Sequence, residues 1–522
     1  MRGQPAGWAP LAWAVWVVAL VAAVAGRPLL PIDETRYAAV AWEMWRDQHW
    51  LYPTLDGAFY AHKPPLLFWL TLLGWHVWGV ADWVPRALVA LMGGAAMVGT
   101  VRLAARLWPD TPAAGHWVPM AFGLLWIWPL YAPAWYFDVP NALWCVMGVH
   151  GVLDVAARRW RRATLLLLAA SLGGVFTKGP MVWLTVGAVA VCAPLWGPRW
   201  TGWRRPSWMG AAVLLGSLMA AGALAYGAWL WAASIAAGEP VWRAVLGAQA
   251  LDRVSTDADH AAPWWWYLGQ LPWMLWPGWL LVLALWRKGM RLGADAGTLL
   301  VVGAFVVLGV VLSLVAGKRP HYWMGWLPLA AAWLAWWLAR AQGPCAVTPV
   351  WRWLAALPPL LLALAFGAWA TRPYPQTVYG WTGPALWAVV ALPILWSVWL
   401  LWPAVTTAQW VRRLATGGGV VMLALHLTFP TATNGAWQVR PLAERVGQAM
   451  RAGTPVAWAA GAHHGVLTFY GRLPRTPQII DPSEVDAWVQ RHPNGWVLVR
   501  SEHPQAGCTP YRGRWLCLRT GV

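Results

Sequence analysis

Charged residues are scarce in this chain of 522 residues, at 11%, while 59% of it is hydrophobic. No single soluble core can hide that much apolar surface, which excludes an ordinary globular enzyme and makes the bilayer the solvent. Cysteine is scarce too, and five of them exclude a disulfide framework. Cys145, Cys192 and Cys345 fall in or beside apolar runs, where they act as small fillers. For Cys508 and Cys517 a disulfide and two reduced thiols both remain open. Acidic residues number 19 against 38 basic ones, a formal charge of +19. No separate basic domain gathers that excess, so nucleic acid is excluded as a partner. Glycine-rich phosphate loops, nucleophile elbows, zinc helix motifs and internal repeats are missing as well. The first apolar run is followed by Gly26, Arg27 and Pro28 with no small-x-small site, so it is expected to be a retained span.

What is present is tryptophan, 51 of them, and a succession of apolar runs near the roughly 20 residues that cross a hydrocarbon core. The expected spans are 9–26, 84–107, 116–133, 139–156, 163–177, 180–196, 209–236, 267–286, 298–316, 321–340, 351–370, 384–402 and 414–430. Pro64 to Val80 is assigned to the membrane surface, because counting it as a span would invert every later loop. With the N-terminus cytoplasmic, the clusters Arg158–Arg162, Arg199–Arg205, Arg287–Arg291 and Arg412–Arg413 then all lie inside. The loops carrying Asp33, Asp138, Lys178, Arg253 and Lys318 all open outside.

From about Ala436 the composition becomes that of a soluble domain. A helix is expected from Pro441 to Gly453, a strand from Thr454 to Ala459 and a second helix capped by Asp481. Another strand is expected over Gly495 to Arg500, then a hairpin turning at Gly513. The division is therefore 1–435, a membrane domain whose first loop runs 27–83, and 436–522, a small α/β domain.

Chemistry concentrates in the first loop. Pro31-Ile-Asp-Glu-Thr-Arg-Tyr37 puts two acids, a guanidinium and a phenol at a membrane surface, and Tyr37 to Trp45 has the spacing of an amphipathic helix. Tyr60-Ala-His-Lys-Pro-Pro-Leu66 follows, where the prolines set Lys63 at a helix start suited to phosphate. The plain alternatives are a juxtamembrane anchor and a snorkelling lysine. Further cations stand at Lys178 in Phe-Thr-Lys-Gly-Pro180, at Arg253, and in Gly317-Lys-Arg-Pro-His-Tyr322. His463-His464 lacks a third ligand at recognisable spacing and reads as surface histidines.

Asp33-Glu-x-Arg-Tyr37, Glu43-Met44 and Tyr60-x-x-Lys-Pro-Pro-Leu-Leu-x-Trp-Leu70 together resemble the lipid A aminoarabinose transferase and protein mannosyltransferase superfamily. The resemblance runs over nearly the whole chain. It implies a polytopic α-helical membrane protein of GT-C type, with about 13 transmembrane helices and a small C-terminal periplasmic α/β domain. It also implies an inverting transfer of a sugar from undecaprenyl phosphate to lipid A or another envelope acceptor, at the periplasmic face of a bacterial inner membrane. Carried over, Asp33 and Asp138 are the catalytic acids. Glu34, Arg36, Tyr37, Tyr60, Lys63, Lys178, Arg253, Lys318, Arg319 and Tyr322 are the donor-binding positions. His62 stands where related aminoarabinose transferases carry an acid, which leaves the sugar's identity and any divalent metal open. No cofactor is otherwise implied, the expected partners are the lipid-linked sugar, the acceptor and membrane lipids, and the chain is expected to be a monomer.

Fixed cations answer the charge that develops on a departing phosphate, and an acid can position or deprotonate an acceptor. Mannosyl-type transfer to protein or polysaccharide is the alternative within the same chemistry. From another class, a lipid-linked sugar transporter would show inverted repeats and charges near mid-bilayer. Here the charges sit at span ends on one side.

Overall fold

The computed structural model describes residues 9–247, 261–287, 289–290, 293–341, 347–372, 383–428, 439–503, 505, 508–512 and 514–520. The chain opens with α1 (Ala9–Ala25), α2 (Asp33–Arg46), a hairpin of β1 (Thr54–Leu55) and β2 (Ala58–Phe59), α3 (Leu66–Trp78) and α4 (Trp83–Leu107). Then come α5 (Ala114–Gly123), α6 (Ile127–Tyr131), α7 (Asp138–Ala156), α8 (Trp160–Lys178), α9 (Met181–Val191), α10 (Ala193–Trp196), α11 (Trp208–Ala237) and α12 (Val241–Leu246). The membrane part continues through α13 (Trp266–Met274), α14 (Gly278–Trp286), α15 (Ala296–Leu314), α16 (Leu327–Arg340), α17 (Pro349–Ala370), α18 (Gly383–Leu401) and α19 (Thr407–Met422).

All thirteen expected spans fall mainly on helix in their described residues, but several are divided, among them 116–133 into α5 and α6, 180–196 into α9 and α10, and 267–286 into α13 and α14. Among the described residues, six helices are individually long and apolar enough to cross a bilayer. The break between α5 and α6 meets the break between α13 and α14. Gly278 N–H donates to Leu124 O at 3.0 Å and Trp126 N–H to Trp276 O at 3.2 Å. Backbone groups freed by a broken helix must find partners inside the protein when water is absent, and here the two breaks supply each other. The expected surface segment becomes α3, whose 13 residues reach about 20 Å, short of the roughly 30 Å hydrocarbon thickness.

Many tryptophans tie helices to backbone elsewhere through the indole N–H. Trp16 donates to Pro119 O at 2.8 Å, Trp229 to Leu51 O at 2.8 Å and Trp396 to Arg413 O at 2.8 Å. An amphipathic ring with one donor suits a medium where apolar packing alone gives little drive for helix association.

Beyond residue 439 the chain forms α20 (Arg440–Arg451), β3 (Val456–Ala459), α21 (Thr468–Gly471), β4 (Gln478–Ile479), α22 (Val485–Arg491), β5 (Trp496–Ser501), β6 (Cys508–Tyr511) and β7 (Arg514–Thr520). The sheet order is β4-β3-β5-β7-β6, parallel among β4, β3 and β5 and antiparallel from β5 onward. Asp481, expected as a helix cap, forms a capping box with Glu484 on the 3-10 turn Pro482–Glu484 that leads into α22, and Cys508 pairs with Cys517 in register and in a disulfide. The expected boundary at residues 435 and 436, and Gly513, lie outside the described residues.

This sheet domain rests on the first loop. Tyr470 OH accepts from Leu29 N–H at 2.7 Å and donates to Asp82 at 2.8 Å, while Arg440 pairs with Asp82 at 2.7 Å. Phe469 stacks on Trp75 of α3 with ring centroids 5.5 Å apart.

Candidate functional site

The turn after α1 carries Asp33 and Glu34 as the first residues of α2, where the helix dipole favours acids. Their side chains go opposite ways. Glu34 is buried and accepts from Arg27 Nη1 at 2.5 Å and Nη2 at 2.9 Å, from Leu30 N–H at 2.8 Å and from Trp135 N–H at 2.8 Å. Burial alone would raise its pKa, but the charge and hydrogen bonds of Arg27, with Arg86, outweigh that and hold it down at about 2. Glu34 was expected among the donor-binding positions. With both oxygens taken up inside the protein, it instead joins the first loop to the segment ahead of α7.

Asp33 stays accessible, its side chain 40% exposed. One oxygen pairs with Arg36 and the other accepts from Tyr136 OH at 3.0 Å. Burial, and then the charge of Asp33, push the Tyr136 phenol well above its usual pKa, so it remains a proton donor to that carboxylate.

Contacts run from here to the second acid. The Tyr136 and Tyr131 rings lie 4.9 Å apart, Tyr131 OH is 3.5 Å from His321 Nδ1, and the His321 and Tyr322 rings are 5.3 Å apart. The Lys178 ammonium stands 4.9 Å from the centre of the Tyr322 ring and pairs with Asp138, which opens α7. Asp138 is buried, so this geometry makes it the counter-ion that positions Lys178. Lys63 completes the cationic side, 5.9 Å from the rings of both Tyr37 and Phe137. Tyr37 itself sits in an aromatic nest with Phe68, Trp135, Tyr136 and Phe137. The Tyr60 hydroxyl is buried and has no hydrogen-bond partner among the described residues, a group held ready for a ligand.

Other expected positions are placed differently. The Lys318 ammonium donates to the carbonyls of Val315 at 2.6 Å, Ala262 at 2.8 Å and Ala316 at 3.4 Å. It therefore satisfies carbonyls just after α15 and in the segment before α13, whereas it was expected to face the donor phosphate. Arg319 is next to the site through its backbone, which exchanges hydrogen bonds with Tyr267 OH. Arg253 lies outside the described residues. His463, expected on the surface, is buried, with Nδ1 2.6 Å from Asp56 Oδ1.

Tyr131, Tyr136 and His321 were not singled out from sequence. His321 stands inside the Gly317–Tyr322 motif, one residue before Tyr322, and Tyr136 two residues before Asp138, so proximity in sequence was the available signal. Tyr131 carried none. No group of three or more His, Cys, Asp or Glu able to hold a metal ion occurs among the described residues. An accessible carboxylate on one side and two lysines with an orphaned phenol on the other can hold a nucleophile and an anionic leaving group together.

No family model matches the chain. It is 31% identical over 307 residues to the undecaprenyl phosphate-alpha-4-amino-4-deoxy-L-arabinose arabinosyl transferase 1 of Pseudomonas fluorescens, covering 56% of this chain and 51% of that protein. It is also 31% identical over 309 residues to the corresponding transferase of Pseudomonas aeruginosa, covering 57% of this chain and 54% of that one. The chain thus spans about half the length of these curated relatives. The crystal structure of ArnT from Cupriavidus metallidurans bound to undecaprenyl phosphate superposes with a TM-score of 0.72 over 98% of both chains, at 17% identity. The apo state of the same protein gives a TM-score of 0.69. The resemblance read from the first-loop motifs is matched by these comparisons: the chain is similar to the aminoarabinose transferases over part of its length and shares the membrane fold of ArnT.

Proposed function

We propose that this chain is a membrane glycosyltransferase that moves a sugar from an undecaprenyl-phosphate donor to lipid A or another cell-envelope acceptor. In this reading 4-amino-4-deoxy-L-arabinose is the leading sugar, the configuration at the transferred carbon inverts, and the reaction takes place on the periplasmic face. The division at 435/436 separates the catalytic membrane part from a periplasmic domain. The observation that carries the reading is the pairing of an accessible Asp33 carboxylate with a continuous chain of contacts leading to the Lys178–Asp138 pair, beside Lys63.

The donor's phosphate meets Lys63, Lys178 and the orphaned Tyr60 hydroxyl, groups already oriented when charge develops on the departing oxygen. Asp138 keeps the Lys178 ammonium in place. Asp33 takes the acceptor side, positioning a hydroxyl or accepting its proton. For an acceptor that is itself a phosphate, already anionic, Asp33 orients it or stabilises positive charge on the sugar. Arg36 and Tyr136 hold the carboxylate from both oxygens, so it reaches the acceptor pre-oriented. Asp33→Asn keeps the shape while removing the charge and one of the two acceptor oxygens. In proteoliposomes loaded with the polyprenyl-phosphate sugar, it is expected to lower transfer by at least about a hundredfold with expression unchanged. Wild-type rates in that variant would overturn the assignment. Mass spectrometry of envelope lipids with and without the gene identifies the sugar and acceptor.

A further inference from the structure

We propose that His463, in the sheet domain, is a positioning residue for the transfer site: it braces the 54–59 hairpin and thereby sets where Tyr60 and Lys63 stand. The inference rests on the function proposed above for what the site does, though not for the brace itself.

The hairpin is small. Its strands are two residues each, paired Thr54 with Phe59 and Leu55 with Ala58, and such a ribbon has little stability alone. Asp56 and Gly57 turn it, with φ of 56° and 81°, the tight two-residue turn that Asp-Gly favours. From below, buried Glu43 of α2 accepts the N–H of Asp56 at 2.8 Å and of Gly57 at 3.2 Å. From above, His463 Nδ1 lies 2.6 Å from Asp56 Oδ1, the histidine side chain 0% and the aspartate 17% exposed. The turn is thus clamped between the membrane part and the sheet domain.

A carboxylate only accepts, so the Nδ1 proton belongs to the contact with Asp56. The other ring nitrogen is buried with no partner among the described residues, and the ring packs edge-on to Trp458 at 4.9 Å. Retaining a polar ring there, with one nitrogen unsatisfied, is accounted for by the single hydrogen bond it makes. The same stretch presses on the loop at Gly465. Its φ is +63°, and a Cβ there would fall 2.4 Å from Ala39 Cβ and 2.7 Å from Leu55 Cδ1.

Directly after β2 the chain delivers the donor side of the site. Tyr60 N–H donates to Pro53 O at 2.9 Å, extending the hairpin's pairing to Tyr60 itself. Lys63 follows three residues on, against the stiff Pro64-Pro65 pair. Displacing the turn therefore displaces groups whose task depends on sub-ångström placement.

The test uses the full chain in detergent with lipid. His463→Ala is expected to raise KM for the lipid-linked donor about tenfold and to lower kcat severalfold as well, because Tyr60 and Lys63 hold the phosphate in the ground state and answer the charge that develops on it. His463→Asn, whose amide N–H can stand near the Nδ1 position, is expected to restore KM to within about threefold. Asp56→Ala, which also strains the φ of 56° at this turn, should show effects at least as large as His463→Ala without touching the sheet domain, and the double variant should add nothing beyond Asp56→Ala. Hydrogen exchange of amides 54–60 should rise in both alanine variants while that of 456–459 stays put. Unchanged exchange and KM in Asp56→Ala overturn the brace, as does failure of His463→Asn to rescue either. If the wild type transfers no sugar, the proposed function falls, and the exchange measurement alone then decides the brace.

Discussion

Asp33 and Glu34 are adjacent and chemically alike, yet one faces the site and the other is locked inside. Helical geometry turns neighbouring side chains by about 100°, so only one of the two can point along the mouth of the loop. Glu34 lies with Arg27, and removing one partner of such a buried pair leaves an uncompensated charge. Glu34→Gln is expected to destabilise the protein by about 3–5 kcal/mol, read from its unfolding midpoint in mixed micelles. The pH dependence has the opposite sense to that of a histidine switch. Glu34's folded pKa, about 2, lies below its ordinary 4.5, so its stabilisation is complete above about pH 4.5 and is lost as pH falls toward 2. The Glu34→Gln variant should lose that acid sensitivity, and an unaltered acid unfolding curve would count against the pair.

At the scale of elements, short pieces are held by partners far away in sequence. The 54–59 hairpin stays ordered between Glu43 and His463, and the broken pairs α5–α6 and α13–α14 satisfy each other's backbone. The β6–β7 hairpin is instead closed covalently, by Cys508 and Cys517 directly opposite each other. Closing a loop of this size removes roughly 2–3 kcal/mol of chain entropy from the unfolded domain. Replacing both cysteines by serine should lower the sheet domain's unfolding midpoint while leaving donor KM unchanged, since neither sulfur approaches the Asp33 to Lys178 chain. A changed KM in that variant would mean that this hairpin also bears on the site. The Asp56-Gly57 pair is a turn signal legible in the sequence, but its four strand residues are too few to show the alternation that marks a hairpin.

For the whole molecule, hydropathy and charge account for most of the architecture. The long helix α11 has only 11% of its most apolar window buried, a face left for lipid. The basic clusters and the sheet domain fall at opposite ends of the span count, so a membrane-impermeant maleimide should label Glu444→Cys in intact spheroplasts. Arg161→Cys should react only after the membrane is opened, and the reverse pattern would invert the topology.

Sequence by itself determined the apolar runs, the longer helices and strands of the sheet domain though not α21 or β4, and the loop in which Asp33, Tyr60 and Lys63 occur. Each of these follows from local periodicity, turn chemistry or motif spacing. Which charged groups the protein's own backbone and ion pairs enclose was decided only by the tertiary structure. Glu34 and Lys318 look as reactive in the sequence as Asp33 and Lys63, but the first is enclosed by Arg27 and two backbone amides and the second by three carbonyls. His463 looked like a surface residue and is a buried contact to Asp56, 407 residues away. A side chain's burial and its hydrogen-bond partners depend on segments hundreds of residues distant, and that information resides in the packed chain.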